Sequence, residues 1–147
     1  MYFIIGKSLD KNYLKGLFTA LYLASLTYLT FFARRRHHSY EHEKNLIPFQ
    51  VFRDFRRISD TGVFNYFSNL LGNIVLFIPV AFILISVFRI FKLSIILFWS
   101  FLLSFTIESL QYIFEVGYAD VDDIILNVTG AAAGYYLYKV FERRTMY

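Results

Sequence analysis

The 147-residue chain contains no cysteine, which excludes disulfides and thiolate-bound metals and leaves cysteine usage silent about redox compartment. It holds only two prolines, Pro48 and Pro79, and a single tryptophan. There is no Ser-His-Asp order, no glycine-rich phosphate loop and no nucleotide motif. Internal repeats and low-complexity segments are absent too. One absence is local: Glu115–Asp123 carries four carboxylates, those of Glu115, Asp120, Asp122 and Asp123, and no lysine or arginine.

What the chain has instead is apolar length. Hydrophobic residues make up 57% of it and the mean hydropathy is +0.48, above the ~45–50% usual for soluble domains. The excess lies in blocks. After a basic leader with Lys7, Lys11 and Lys15, the uncharged run Gly16–Ala33 is long enough, with Tyr13 and Leu14, to cross ~30 Å of hydrocarbon at ~1.5 Å per residue. It ends in Phe31-Phe32-Ala33-Arg34 rather than at a small-residue cleavage site, which favours a retained anchor over a signal peptide. Further spans are expected at 63–88, 93–114 and 123–141. The fold class is therefore all-α: a polytopic membrane protein, one domain over 1–147, with four transmembrane helices (about 14–33, 63–88, 93–114, 123–141) packed as a bundle.

Arg34–Thr61 is too hydrophilic to span. Within it Phe49, Phe52 and Phe55 alternate with Arg53, Arg56 and Arg57, predicting a short amphipathic helix at the interface. The net charge of +4 is read as meeting lipid headgroups, with no nucleic acid as partner. Basic residues are almost evenly divided between the two sides. The loop with none, Glu115–Asp122, places that side outside and both termini in the cytoplasm.

The polar residues inside the spans are ordered. Ser104, Glu108 and Gln111 share one helix face at i, i+4 and i+7, and Asp123, Asn127, Gly130 and Gly134 share a face of the next. Asn69 and Asn73 stand one turn apart beside Gly72, so their amides are expected to face a close neighbour, and Pro79 is expected to kink that helix. An ionised carboxylate at mid-bilayer costs ~2.5–3.5 kcal/mol, so Glu108 should face the bundle interior, be protonated, or have a partner. Interhelical polar contacts return only ~0.6 kcal/mol on average, so a purely structural knot is a poor account of Glu108.

Among Asp120, Asp122 and Asp123, a solvated loop plus a helix cap, by Asp122 or Asp123, accounts for one. The cluster could also take a hard divalent cation, with Asp120, Asp122 and Asp123 as candidate ligands, or serve acid–base chemistry. His38 and His42, one turn apart, lack a third ligand fixed by spacing and read as solvated. Gly130–Gly134 reads as a face for close helix packing, expected to let the last two helices approach each other. Glu108 and Asp123 are the candidate carriers of function, with Asn73, Gln111 and Asn127 orienting them. The last two helices are expected to be antiparallel neighbours that bring Glu108 and the Asp120–Asp123 cluster into one cleft.

Four blocks in order carry a resemblance: Asn45-Leu46-Ile47-Pro48-Phe49; Asn69 to Pro79 with Gly72, Asn73 and Phe77; Ser104, Glu108 and Gln111; and Asp120, Asp122, Asp123, Asn127, Gly130 and Gly134. Together they resemble the VanZ-like family of small bacterial membrane proteins, named for a teicoplanin-resistance protein. That family often has an arginine just before the first aspartate of the last block. Here Gly117-Tyr118-Ala119 precedes Asp120, so any pairing that arginine provides must come from elsewhere.

The resemblance implies a multi-pass protein of the bacterial cell membrane and, for some members, lowered glycopeptide susceptibility, but no established reaction. Three classes of function stay open. The first is binding of a lipid-linked or headgroup-bearing ligand in an outward-facing polar cleft lined by Asn69, Asn73, Glu108, Gln111, Asp120, Asp122, Asp123 and Asn127, the partners being membrane lipids, lipid-linked cell-wall intermediates or glycopeptide. The second is an integral membrane enzyme acting on an envelope lipid through Glu108 and the aspartate cluster, with a divalent cation as the cofactor considered. The third is a membrane scaffold.

Overall fold

The computed structural model describes residues 10–32, 44–49, 60–117 and 119–144. Four helices form it: α1 (Lys11–Phe31), α2 (Asp60–Ser86), α3 (Leu93–Ile113) and α4 (Val121–Arg144). Two short strands, β1 (Lys44–Asn45) and β2 (Ala119–Asp120), pair in parallel.

The molecule is inside out relative to a soluble bundle. Asn73, Ser100, Ser104, Glu108, Gln111, Asp122, Asp123 and Asn127 are buried, while Leu17, Phe18, Leu21, Phe98, Phe101, Phe105 and Phe141 are exposed. Such an arrangement suits a solvent as apolar as the side chains that meet it. Among the described residues, three helical segments are long and apolar enough to cross a membrane: Lys11–Phe31, Phe67–Ser86 and Leu93–Ile113. α4 has the length, at 24 residues, but Asp122, Asp123, Asn127 and the small-residue run at 130–134 lower its hydropathy, and it falls outside that group.

Close approach organises the bundle. A Cβ placed on Gly130 would lie 2.1 Å from the Ile74 carbonyl oxygen, and one on Gly134 would lie 2.3 Å from that of Ile78. The two glycines therefore seat α4 backbone to backbone on α2. This corrects the expectation that they join α4 to α3: the short loop already holds those two together, and the glycine face is left for α2. Residue numbers rise together along the contact, from Asn73–Asp123 to Phe82–Tyr138, so α2 and α4 run parallel, with α3 antiparallel between them in sequence. The Asn73 and Asn69 amides, expected to face a close neighbour, meet Asp123 of α4, while Gly72 beside them has nothing within 4 Å of a Cβ placed on it.

α1 lies against α2 and α3 through one stripe. The Tyr22 hydroxyl donates to the Leu76 carbonyl at 2.9 Å. Leu26 packs with Phe77, Val80 and Ile107, and Thr30 accepts a bond from Gln111. Lys15 Nζ reaches the Ser86 carbonyl at 3.1 Å, a cation on the last turn of α2. α2 continues as helix through Pro79. The connection from α2 to α3 turns at Arg89, whose φ of 59° is left-handed.

The C-terminal end of α3 closes with Glu115 at φ 53°, where Val116 N–H returns to the Gln111 carbonyl at 3.0 Å. Most of the segment expected as an amphipathic interfacial helix, and both His38 and His42, lie outside the described residues.

Candidate functional site

α3 presents Ser104, Glu108 and Gln111 to the interior, and α4 runs back past them. Glu108, only 5% exposed, accepts the backbone N–H of Asp120 through Oε2 at 3.1 Å. Helix α4 starts at the next residue, and Asp120 Oδ1 accepts the N–H of Asp122 at 2.8 Å. Asp120 is thus the cap, rather than Asp122 or Asp123 as expected, because the helix begins two residues earlier than the polar pattern suggested. Asp122 Oδ1 instead accepts the N–H of Phe49 at 2.5 Å. That contact, with the pairing of Lys44–Asn45 to Ala119–Asp120, docks the first loop on the aspartate segment.

Asp123 turns towards α2. Its Oδ1 accepts from Asn73 Nδ2 at 2.5 Å and, more distantly, from Asn69 Nδ2 at 3.4 Å. One turn on, Asn127 donates through Nδ2 to Ser104 Oγ at 2.9 Å. Asn127 is 4% exposed, and among the described residues its Oδ1 has no hydrogen-bond partner. A buried carbonyl oxygen left so costs about 1–3 kcal/mol, a cost that calls for a partner the described residues do not supply. Gln111 Nε2 donates to the Thr30 carbonyl at 2.8 Å, tying the end of α1 to the same region.

These side chains surround a cavity of about 200 Å³, bounded by Thr30, Asn73, Glu108, Gln111 and Asn127 with Leu29, Gly72, Leu76 and Ile107. Gly72 leaves space there that a side chain would take. On the other flank of Glu108 lies a second space of about 410 Å³, an apolar groove between α3 and α4 lined by Phe101, Phe105, Tyr112, Ile113, Val121 and Ile124 with Leu46 of the first loop. Glu108 borders both.

All eight residues expected at the site therefore fall at one end of the bundle. Asn73, Glu108, Gln111 and Asn127 line the cavity. Asp123 and Asn69 stand behind Asn73, Asp120 lines the groove, and Asp122 holds the loop. Asp120, Asp122 and Asp123 are turned to three different partners, and among the described residues no three His, Asp or Glu side chains form a group that could hold a metal ion. Glu115 is exposed in the turn that ends α3. Sequence reasoning missed Thr30, Gly72 as a cavity wall, and the loop 44–49. Of these, only the loop had a signal, the extended bias that Pro48 imposes on Ile47.

These features define a membrane-helix protein whose polar residues gather at one end, inside an apolar shell. The chain matches VanZ/LLP1 over residues 18–142 and belongs to that family. It is 29% identical over 141 residues to Protein VanZ of Enterococcus faecium, covering 91% of this chain and 76% of the relative. No solved structure matches it.

Proposed function

We propose that this protein is a four-span membrane protein that holds a lipid-linked or headgroup-bearing ligand in the cavity bounded by Asn73, Glu108, Gln111 and Asn127, and thereby lowers teicoplanin susceptibility. α4 serves as the fourth span, its polar first turns sheltered against α2 and α3. The cavity end faces outward and both termini are cytoplasmic. The observation that carries the reading is the Asn127 Oδ1, buried and without a partner among the described residues beside a buried carboxylate. A packed scaffold gains nothing from an orphaned acceptor, whereas a ligand donor completes it. The relationship to Protein VanZ supports the link to the antibiotic.

Expression in a teicoplanin-sensitive bacterium tests the reading. The wild-type chain raises the inhibitory concentration, and Glu108→Gln and Asn127→Leu, at equal membrane level, abolish the rise. A wild-type chain that gives no protection removes the antibiotic link. Variants that protect as well as the wild type remove the cavity from the mechanism. Conversion of a labelled envelope lipid by the purified protein would move the reading from binding to catalysis by Glu108 and its neighbours.

A further inference from the structure

The polar cavity has a floor and a mouth of different character. Its floor is buried, with Asn73, Gln111 and Asn127 each under a twentieth exposed. Leu29 of α1 and Gly72 of α2, which also line it, are exposed. The contacts Lys15–Ser86 and Tyr22–Leu76 run α1 antiparallel to α2. Leu29 and Gly72 therefore lie on the same side of the Tyr22–Leu76 contact, about two turns and one turn beyond it. A Cβ on Gly72 would meet nothing within 4 Å, so the α1–α2 seam is open at that point among the described residues. Leu29 and Gly72 stand two and five residues inside the ends of the apolar segments Lys11–Phe31 and Phe67–Ser86. At ~1.5 Å per residue those are depths of about 3 and 8 Å. The mouth thus opens where lipid headgroups give way to chains.

The floor offers both halves of a hydrogen bond. Asn127 Oδ1 is an acceptor with no partner among the described residues. The amide nitrogens of Asn127 and Gln111 each spend one N–H, on Ser104 Oγ and on the Thr30 carbonyl, and each carries a second. No lysine or arginine lines the cavity among the described residues. A hydroxyl both donates and accepts, so it answers an amide oxygen and an amide N–H together. A primary ammonium only donates. A phosphate ester accepts, and brings a charge that no cation in the lining pairs. A trimethylated ammonium does neither.

We infer that the cavity takes the uncharged, hydroxyl-bearing headgroup of a membrane lipid, such as a sugar ring on diacylglycerol, which enters sideways between α1 and α2 past Gly72. The inference rests on the ligand-binding reading above and adds the ligand class and its route. The volume of about 200 Å³ equals roughly six waters at ~30 Å³ each, the space of one sugar ring. The acyl chains stay in the bilayer at the seam.

The test uses the full chain in phosphatidylcholine nanodiscs doped with four probes. All share an acyl chain with a photoactivatable group near its glycerol end: glucosyl-diacylglycerol, phosphatidylcholine, phosphatidylethanolamine and phosphatidic acid. The glucosyl probe should label about tenfold more than any other, a ratio within reach of satisfying one buried acceptor. Its label should fall on the peptides containing Leu29 and Gly72. Gly72→Phe, and independently Leu29→Trp, should bring the glucosyl probe down to the choline level. Both positions are exposed, so unfolding temperatures near that of the wild type should separate a blocked mouth from a lost fold. Methyl glucoside, equimolar with the probe, should leave the labelling unchanged, because it lacks the chain that holds the sugar at the membrane.

Equal labelling by the four probes, preference for the ethanolamine or phosphate probe, or label on the groove around Phe105 and Ile124 instead would overturn the inference. Full labelling of folded Gly72→Phe and Leu29→Trp would overturn the route, and displacement by methyl glucoside would overturn the lipid as the source. Each of these leaves the antibiotic assay to decide the broader reading. Loss of wild-type protection in that assay, with selective labelling at Leu29 and Gly72 intact, would overturn the antibiotic link alone.

Discussion

Asn73 and Asp123, fifty residues apart in sequence, meet across two parallel helices, the amide of α2 donating to the carboxylate of α4. Along α4 the bond sits about two turns before Gly130 and about three before Gly134, the two glycines that bring the same helices into backbone contact. Replacing Asp123 by Asn keeps an acceptor for Asn73 and Asn69, and the fold should melt within about 1 kcal/mol of the wild type in detergent. Asp123→Leu leaves both amides facing an apolar group and should cost about 1–3 kcal/mol, read as a lower unfolding temperature. Equal melting of the two variants would show that the pairing does not hold α2 to α4.

The glycine contacts give a sharper stability prediction. Gly130→Ala and Gly134→Ala each push a methyl group into a backbone carbonyl of α2, so the helices must separate. Overpacking of this kind costs about 1–3 kcal/mol or more. Gly72→Ala places its methyl group in open space and should leave stability unchanged while narrowing the cavity. Thermal unfolding of the three variants checks the order, and a Gly72→Ala protein as unstable as Gly130→Ala would contradict the packing described.

The proposed orientation, with the 115–122 loop outside, has a direct test. Cysteines introduced at Ala119 and at Lys92 lie at opposite ends of α3, so a membrane-impermeant maleimide added to intact cells should label Ala119→Cys and not Lys92→Cys. Labelling of Lys92→Cys alone reverses the orientation. Labelling of both from one side would mean that α3 does not cross the membrane.

Much of this was legible in the chain. Hydropathy blocks place α1, α2 and α3 within a few residues of their observed ends, because bilayer thickness sets their length. The i, i+4 and i+7 spacing of Ser104, Glu108 and Gln111 places them on one inward face, because a helix has a fixed period. What was not legible depends on pairing between segments. Nothing local says that Gly130 meets Ile74 rather than α3, that Lys44–Asn45 pairs with Ala119–Asp120, or which of three aspartates caps α4. The last is settled by where the helix starts, and that start is fixed by the contact of the Asp120 N–H with Glu108, twelve residues upstream. The cavity itself is a space left between four elements, and no single segment encodes it.

The central claim is that this cavity exists for a ligand, and lipid retention measures it most directly. Native mass spectrometry of the full chain released from nanodiscs of mixed bacterial lipids should show a wild-type protein carrying a one-to-one lipid adduct. Asn127→Leu makes that wall of the cavity apolar and removes the oxygen that has no partner among the described residues, so it should be released bare under the same conditions. An Asn127→Leu protein that carries the adduct as fully as the wild type would contradict the account.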